Sequence, residues 1–397
     1  MTKLIEITGK AIAGEWGEDD LTGNGIPVLR TTNFTNSGVI NYDNIVTRTI
    51  KKKNIKDKLL KYGDIIIEKS GGSDTQPVGR VVFFEGEEER YLFNNFTGLL
   101  RVKDRELWNP KYVFYSLFSN YYMGKTLQFE NRTTGLHNLQ TDSYVSSTEI
   151  VCRGIKEQNK IVDDLDKVIQ LIGLCNVQLE NLNVIVKSRF IEMFGNPVVN
   201  PKGLKKVLLA DLSELITKGA SPNWQGFVYT DDNTQTLFVT SENVREGFLD
   251  LTTPKYIEDG FNEKQKRSLL RKGDFLINIV GASIGRAAQY NFLNKANINQ
   301  AVALVRVKPN TIRDNYLLYY LNSEKAQRMY NAMKSDTGRA NLSLQDIANL
   351  EILLPSIGEQ DEFDLFMQQV DKSKLAVQKS LNDLETLKKS LMQQYFG

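Results

Sequence analysis

Between Ile161 and Val186 apolar side chains return at intervals that alternate four and three without a break: Ile161, Leu165, Val168, Ile172, Cys175, Leu179, Leu182 and Val186. This is the heptad seam of a helix that buries one narrow stripe against a partner helix. The same frame returns 202 positions later, carried by Phe363, Met367, Val370, Val377, Leu381, Leu384 and Leu391. Lys374 and Lys388 occupy seam positions there, which costs stability and pins register. Both segments, Ile155–Gly195 and Ile357–Gly397, open on Ile-x-Glu-Gln and close on Phe-Gly. A repeat supplies both strands of a coil, so the simplest arrangement is an antiparallel pair within one chain. A coil that only dimerises two chains is the alternative. A helix of about 34 residues is roughly 50 Å long, somewhat more than one DNA turn of ~34–36 Å.

The stretches before the two helices repeat more loosely. Lys61–Ile67 matches Arg271–Ile277, Val78-Gly79-Arg80 matches Ile284-Gly285-Arg286, and Arg101-Val-Lys103 matches Arg306-Val-Lys308. Thr134-Gly135 with Asn138-Leu139 matches Thr337-Gly338 with Asn341-Leu342. Short β-branched runs at Asp64–Ile67, Arg80–Phe84, Phe275–Ile279 and Ala301–Val307 predict strands separated by Gly and Asn turns. Tyr112–Phe118 and Asn315–Ser323 predict short helices. Each unit is therefore α+β, and the chain reads as two similar globular domains, 1–152 and 197–355, alternating with spacer helices at 153–196 and 356–397. At the N-terminus, Leu4–Ile7 pairs with Leu212–Leu215 and Trp16 with Trp224 as the matching positions. A pseudo-two-fold repeat of this kind suits a target that comes in two halves, and duplex DNA is the commonest such target.

The length of 397 residues suits two cores rather than one. The absence of any run of 18 apolar residues predicts no membrane partner, and with two cysteines, Cys152 and Cys175, and no leader profile a cytoplasmic location is expected. The net charge of +2 does not announce a nucleic-acid binder. The only positive surplus sits in 199–356, with 20 basic against 16 acidic side chains. Because non-specific DNA affinity comes from phosphate neutralisation, the chain alone is expected to bind DNA weakly.

Catalytic signatures are incomplete. Asn109-Pro110-Lys111-Tyr112 lacks the second proline of an adenine-methylating loop, and Ser119 replaces the first glycine ahead of Gly124-Lys125-Thr126, so the phosphate-cradling loop of an ATPase is not formed. Asp64 with Glu68-Lys69 suggests a metal nuclease, yet the repeat has Asp274 with Asn278-Ile279, and a structural turn explains the shared Gly-Asp better. His137 is the only histidine, which argues against histidine-based metal sites and triads.

Base reading needs forked side chains, Arg for guanine and Asn or Gln for adenine; phosphate contacts need Lys, Arg, hydroxyls and free backbone N–H groups. Four paired stretches carry such groups. The first is Arg30-Thr31-Thr32-Asn33 opposite Thr240-Ser241-Glu242-Asn243, or else an ordinary polar turn. Another is Lys69, Ser70 and Ser73 followed by Arg80, opposite Ser283 followed by Arg286, or else a tight hairpin with a solvated Arg. The third, Asn94-Asn95 opposite Asn299-Gln300, reads as structural. The fourth is Arg132-Thr133-Thr134-Gly135 with Asn138, opposite Asp336-Thr337-Gly338-Arg339 with Asn341, where Arg339 is the best single candidate, or else a loop before helices capped by Thr141 and Ser343. Lys218 joins the DNA candidates, whereas Lys51-Lys52-Lys53 and Lys264–Arg267 read as solvated charge runs. Trp16 and Trp224 read as core residues rather than as wedges between bases.

The duplicated domains, the two helices and the repeated Thr-Gly-x-x-Asn-Leu string resemble the specificity subunit of Type I restriction-modification enzymes over essentially the whole chain. The resemblance implies two target recognition domains that each read half of a split double-stranded DNA sequence. It implies helices that act as spacer and as docking surface for two methyltransferase subunits, joined by restriction (translocase) subunits. No cofactor is then expected on this chain: S-adenosylmethionine belongs to the methyltransferase partner, ATP and magnesium to the restriction partner. A coiled-coil adaptor with two protein-binding modules, or a catalytic DNA enzyme with an unfamiliar site, are the alternatives.

Overall fold

The computed structural model describes residues 1–52, 54–133, 136–333 and 341–397. The two heptad segments form helices of 40 residues each, Ile155–Phe194 and Ile357–Phe396. The chain divides into two compact units: Met1–Asn176 with Lys379–Gly397, and Val177–Gln378. Each long helix therefore contributes to both.

In the first unit one core gathers Ile161, Val162 and Leu165 from the start of the first long helix with Phe396, Leu391 and Met392 from the end of the second. In the second unit Val186, Phe190 and Phe194 from the end of the first long helix share a core with Phe363, Val370 and Met367 from the start of the second. Beginning meets end in both cases, so the pairing is antiparallel and within one chain. The terminal Phe-Gly explains itself: Phe396 packs on Tyr112 at 5.3 Å between ring centroids, and Phe194 on Tyr316 at 4.9 Å. By length and composition alone the first long helix is apolar enough to cross a membrane, a test that core helices of soluble proteins also pass. Its apolar seam is the coil stripe.

The Gln of Ile-x-Glu-Gln is equally structural. Gln158 is fully buried; its Oε1 accepts from the Asn109 N–H at 2.9 Å and its Nε2 donates to the Arg153 carbonyl at 2.8 Å. Gln360 repeats both bonds with Arg313 N–H and the Pro355 carbonyl, at 2.9 and 3.0 Å. The tyrosines above them close the same loops, Tyr112 donating to the Val151 carbonyl and Tyr316 to that of Leu353.

Each unit carries a four-stranded sheet of the same order. In the first, Ile12–Ala13, Thr97–Leu100, Ile65–Glu68 and Val81–Phe83 pair antiparallel in that sequence; in the second, Ser213–Lys218, Val302–Val307, Phe275–Asn278 and Ala287–Gln289 do so. A second four-stranded sheet in each unit contains one parallel pair, Val28–Leu29 beside Leu92–Phe93 and Leu237–Val239 beside Ala296–Ile298. Short helices cover the sheets, Pro110–Tyr122 in the first unit and Asp314–Leu321 in the second. The observed elements are α+β, as the strand runs imply. Gly14 and Gly219 permit the close crossing where the first strand passes the second sheet: a Cβ would lie 1.9 Å from the Asn94 carbonyl oxygen and 1.8 Å from that of Ile298.

The Gly-Asp turns anchor these sheets. Asp64 receives the Lys61 N–H and both arms of Arg101, each bond 2.7 Å long. Asp274 receives the Arg271 N–H and both arms of Arg306, again at 2.7 Å. A bidentate fork on a buried carboxylate is directional and desolvated, so it positions the turn closely.

The N-terminal match needs correction. Thr2–Lys3 pairs with Glu149–Ile150, and Lys205–Leu208 with Glu351–Leu354. The Leu4 N–H reaches the Thr148 carbonyl as the Leu209 N–H reaches that of Leu350. Thr8 and Ser213 both cap back to the residue four before them. Leu4–Ile7 therefore corresponds to Leu209–Leu212 rather than to Leu212–Leu215. Trp16 and Trp224 do not correspond and are not core residues. Arg48 lies 4.2 Å over the Trp16 ring, while Trp224, on the short helix Pro222–Gln225, is 90% exposed.

Two outcomes are expected. Asp274→Ala takes from the largely buried Arg306 its bidentate partner, leaving Glu214 at 3.9 Å, and should cost about 3 kcal/mol of unfolding free energy, read by urea titration; a loss below ~1 kcal/mol would show that the fork is not structural. The phenols of Tyr115, Tyr144, Tyr316, Tyr320 and Tyr330 are pushed up chiefly by burial, Tyr320 to about 12. Above about pH 10 the unfolded chain releases these protons while the folded chain keeps them, so stability falls as pH rises, by about 1.4 kcal/mol per pH unit for each such tyrosine. Denaturation midpoints from pH 9 to about 11.5 should drop steeply; a flat profile would contradict the burial.

Candidate DNA-recognition site

The candidate side chains lie mostly on the loops that leave one end of the sheets. In the first unit a 3₁₀ turn, Thr31–Asn33, follows the strand Ile26–Leu29. Asn33 is buried and spent internally: its Oδ1 accepts from the Arg30 N–H at 3.0 Å, and its Nδ2 donates to the carbonyls of Asn41 and Asp43. Asn243 does the same in the second unit, accepting from the N–H and hydroxyl of buried Thr240 and donating to the Asp250 carbonyl at 2.9 Å. Neither asparagine presents a free fork to a base edge. Their sequence signal was ambiguous between turn and reader, and burial decides for the turn. Arg30 is half-buried and donates to the Asn44 carbonyl at 3.1 Å. Thr31 and Ser241 have partly exposed side chains, and their carbonyls accept bonds from elsewhere in the loop cluster.

Next to this turn lies the loop after Ile65–Glu68. Ser70–Gly72 pairs with Leu136–Leu139, which pairs with Glu130–Thr133, forming a three-stranded sheet. This brings Ser70 to Asn138, with Oγ to Oδ1 at 2.6 Å. Lys69 is half-buried without an acidic partner within ion-pair distance among the described residues. Burial and, next, the charge of Lys58 hold its ammonium below the usual lysine range. Arg132 is exposed but bridged at 3.0 Å to both Asp74 and Glu130, and Glu130 also meets His137 Nδ1 at 2.7 Å. Ser73 is exposed and accepts the Gln76 N–H. Arg80 is largely buried against Glu68, with Nε to Oε2 at 2.7 Å.

The matching loops of the second unit are barer. Ser283 accepts from buried Asn278 at 3.1 Å. Arg286 is exposed, and its side chain has no hydrogen-bonded or ion-paired partner among the described residues. Asn341 is exposed and bridges the backbone of Val280. Lys218 ends the strand Ser213–Lys218, exposed and across from Ala303. Arg339, Asp336-Thr337-Gly338 and Thr134-Gly135 lie outside the described residues, as do Lys53 and the side chain of Thr133. In the third stretch Asn94 is buried and accepts from Thr97, Asn299 accepts the Ala301 N–H, and Asn95 and Gln300 are exposed. Lys51 and Lys52 pair with Glu18 and Glu15.

Each unit thus offers one polar loop cluster built on a rigid sheet end, able to make hydrogen bonds and to place a small number of cations. The geometry defines a duplicated α+β protein in which each unit takes in part of both long helices.

Comparison with known proteins agrees. The model for the Type I restriction modification DNA specificity domain matches twice, over residues 3–183 and 201–386, and the chain belongs to that family of specificity subunits. It is 22% identical to the MjaVIII specificity subunit of Methanocaldococcus jannaschii over 331 residues, covering 79% of this chain and 76% of that protein. It is 22% identical to the EcoKI specificity subunit of Escherichia coli K12 over 385 residues, covering 90% and 78%. Among solved structures, the S subunit of M. genitalium superposes with a TM-score of 0.57 at 15% identity, covering 100% of this chain and 95% of that one. A chain from a study of assembly and conformational transition in the type I R-M system gives 0.59 at 19%, covering 100% and 96%. At these identities the structural likeness speaks for the fold.

If Asn33 and Asn243 serve the turns, Asn33→Ala or Asn243→Ala should each lower stability by about 1–3 kcal/mol, because the turn loses its bonds to a buried amide. Thermal denaturation checks this. Unchanged stability together with weakened DNA binding would reassign them to base reading.

Proposed function

We propose that this chain reads a split double-stranded DNA sequence, one half-site per globular unit, and acts in the cytoplasm as the positioning subunit of a methylation and restriction complex. The observation that carries the reading is the duplication itself: the specificity domain occurs twice, and each copy ends in a 40-residue helix that completes the other copy's core. Two similar readers braced by an antiparallel pair suit two half-sites at a set spacing.

The partners follow from the same scaffold. The long helices carry exposed apolar side chains, Leu171, Leu174, Val177 and Val184 on the first and Leu365 and Leu375 on the second, outside the seam. Exposed apolar stripes of this kind suit protein docking, here of two methyltransferase subunits, with restriction subunits joining them. S-adenosylmethionine would be carried by the methyltransferases, and ATP with magnesium by the restriction subunits. The chain's own task is to hold the target where a partner can flip and methylate an adenine. A near-neutral charge is compatible with this division, since partners can supply phosphate neutralisation.

The deciding experiment is single-molecule sequencing of native DNA from cells with and without the gene. A bipartite motif methylated on adenine should disappear on deletion. If no motif changes while the partner genes are expressed, the DNA-reading function is wrong and the adaptor reading takes its place.

A further inference from the structure

The two units solve one local problem in two ways, and the difference concerns a matched pair of arginines. The frame is the same in both. The Glu68 N–H donates to the Arg80 carbonyl at 2.8 Å, and the Gly79 N–H returns to the Glu68 carbonyl at 3.0 Å. The Asn278 N–H donates to the Arg286 carbonyl at 2.9 Å, and the Gly285 N–H returns to the Asn278 carbonyl at 2.9 Å. Glu68 thus stands where Asn278 stands, and Arg80 where Arg286 stands.

Beside this frame, each unit has a polar turn whose carbonyls need donors. In the first unit Arg80 supplies them, its Nη2 reaching the Thr31 carbonyl and its Nη1 that of Phe34, both at 3.3 Å. Buried Glu68 holds it there with two bonds, 2.7 and 3.1 Å long. Exposure of the two side chains is 12% and 2%. In the second unit the matching carbonyls belong to Ser241 and Val244. Asn278 Nδ2 donates to both, at 2.9 and 3.3 Å. One neutral amide does the work of an ion pair, and the Arg286 side chain is left exposed with no partner among the described residues.

Building on the DNA-reading function proposed above, we propose that Arg286 is a DNA-contacting residue of the second unit, released by Asn278, whereas its counterpart Arg80 is a positioning residue that Glu68 locks against the Thr31–Phe34 turn. The same scaffold position is a reader in one half and a brace in the other, and residue 68 or 278 sets which. An arginine whose fork is filled by a carboxylate and two carbonyls has little left for a phosphate or a guanine edge, while a solvated guanidinium on a loop has all five donors available. Ser283, Asn341 and Lys218 are exposed or half-exposed at the same sheet end and surround such a contact.

The test exchanges the two solutions in the full chain assembled with its methyltransferase partners. Binding to a fluorescent duplex of random sequence is titrated against salt, and arginine accessibility is read in the DNA-free complex by phenylglyoxal labelling and mass spectrometry. Arg286→Ala should reduce the slope of log K against log salt by about 0.9, the share of one phosphate contact, while Arg80→Ala leaves it unchanged. Should Arg80→Ala fail to fold because Glu68 is stranded, the paired Glu68→Met and Arg80→Met variant makes the same measurement. Glu68→Asn should raise the slope by about 0.9 and make Arg80 as reactive as Arg286. Asn278→Glu should lower the slope and protect Arg286, with no further drop in an Arg286→Ala background. Equal slope losses for the two arginines, equal labelling rates in the unaltered protein, or an Asn278→Glu effect that survives Arg286→Ala would overturn the proposal. Absence of any salt-dependent binding by the unaltered complex would remove the DNA-reading function and the contact at Arg286 with it, while the labelling pattern would still decide the lock at Arg80.

Discussion

Each globular unit is completed by a helix end that comes from far along the chain. Tyr112 is covered by Phe396, and Tyr316 by Phe194. These aromatics sit in the same cores as the sheets and the short helices that cover them. A unit without its distant helix end would expose a large apolar face, and burying that face is what holds the helix end to the domain within each unit. The ends of the long helices are therefore parts of the two domain cores.

Within that constraint the same polar devices appear twice. The buried glutamine at the start of each long helix, the tyrosine hydroxyl on a strand carbonyl and the arginine fork on the Gly-Asp turn recur bond for bond. Buried polar groups are costly unless satisfied, and a satisfied network admits few alternatives. Hence these positions keep their identity between the two copies, while the exposed loop surfaces diverge. The Glu68–Arg80 pair and Asn278 mark where the copies part company: the same two carbonyls are satisfied, by different chemistry, and the surface charge changes as a result.

Much of the fold was legible beforehand. The alternation of four and three from Ile161 to Val186 specifies a long helix with a narrow seam, and its recurrence specifies the partner. Short strands could be placed to within a residue or two, as at Phe275–Asn278, because β-branched runs end at glycine and asparagine turns. The candidate site was legible only in outline. Asn33 and Asn243 have the residue type of base readers, yet they cap turns, since the same amide that reads adenine also satisfies a tight loop. Trp224 has the size of a core residue and lies on the surface.

Sequence alone determined the duplication, the two long helices and the α+β class, because those rest on periodicity and on local turn chemistry, which a single segment carries within itself. Only the tertiary structure decided which charges are free. Whether Arg80 or Arg286 faces solvent depends on a side chain at the neighbouring strand position and on carbonyls more than thirty residues away. It also decided how the N-terminus aligns, since Thr2–Lys3 finds its place by pairing with Glu149–Ile150 at the far end of its domain. Long-range pairing is set by burial and by hydrogen-bond satisfaction across the folded unit, and no local pattern records it.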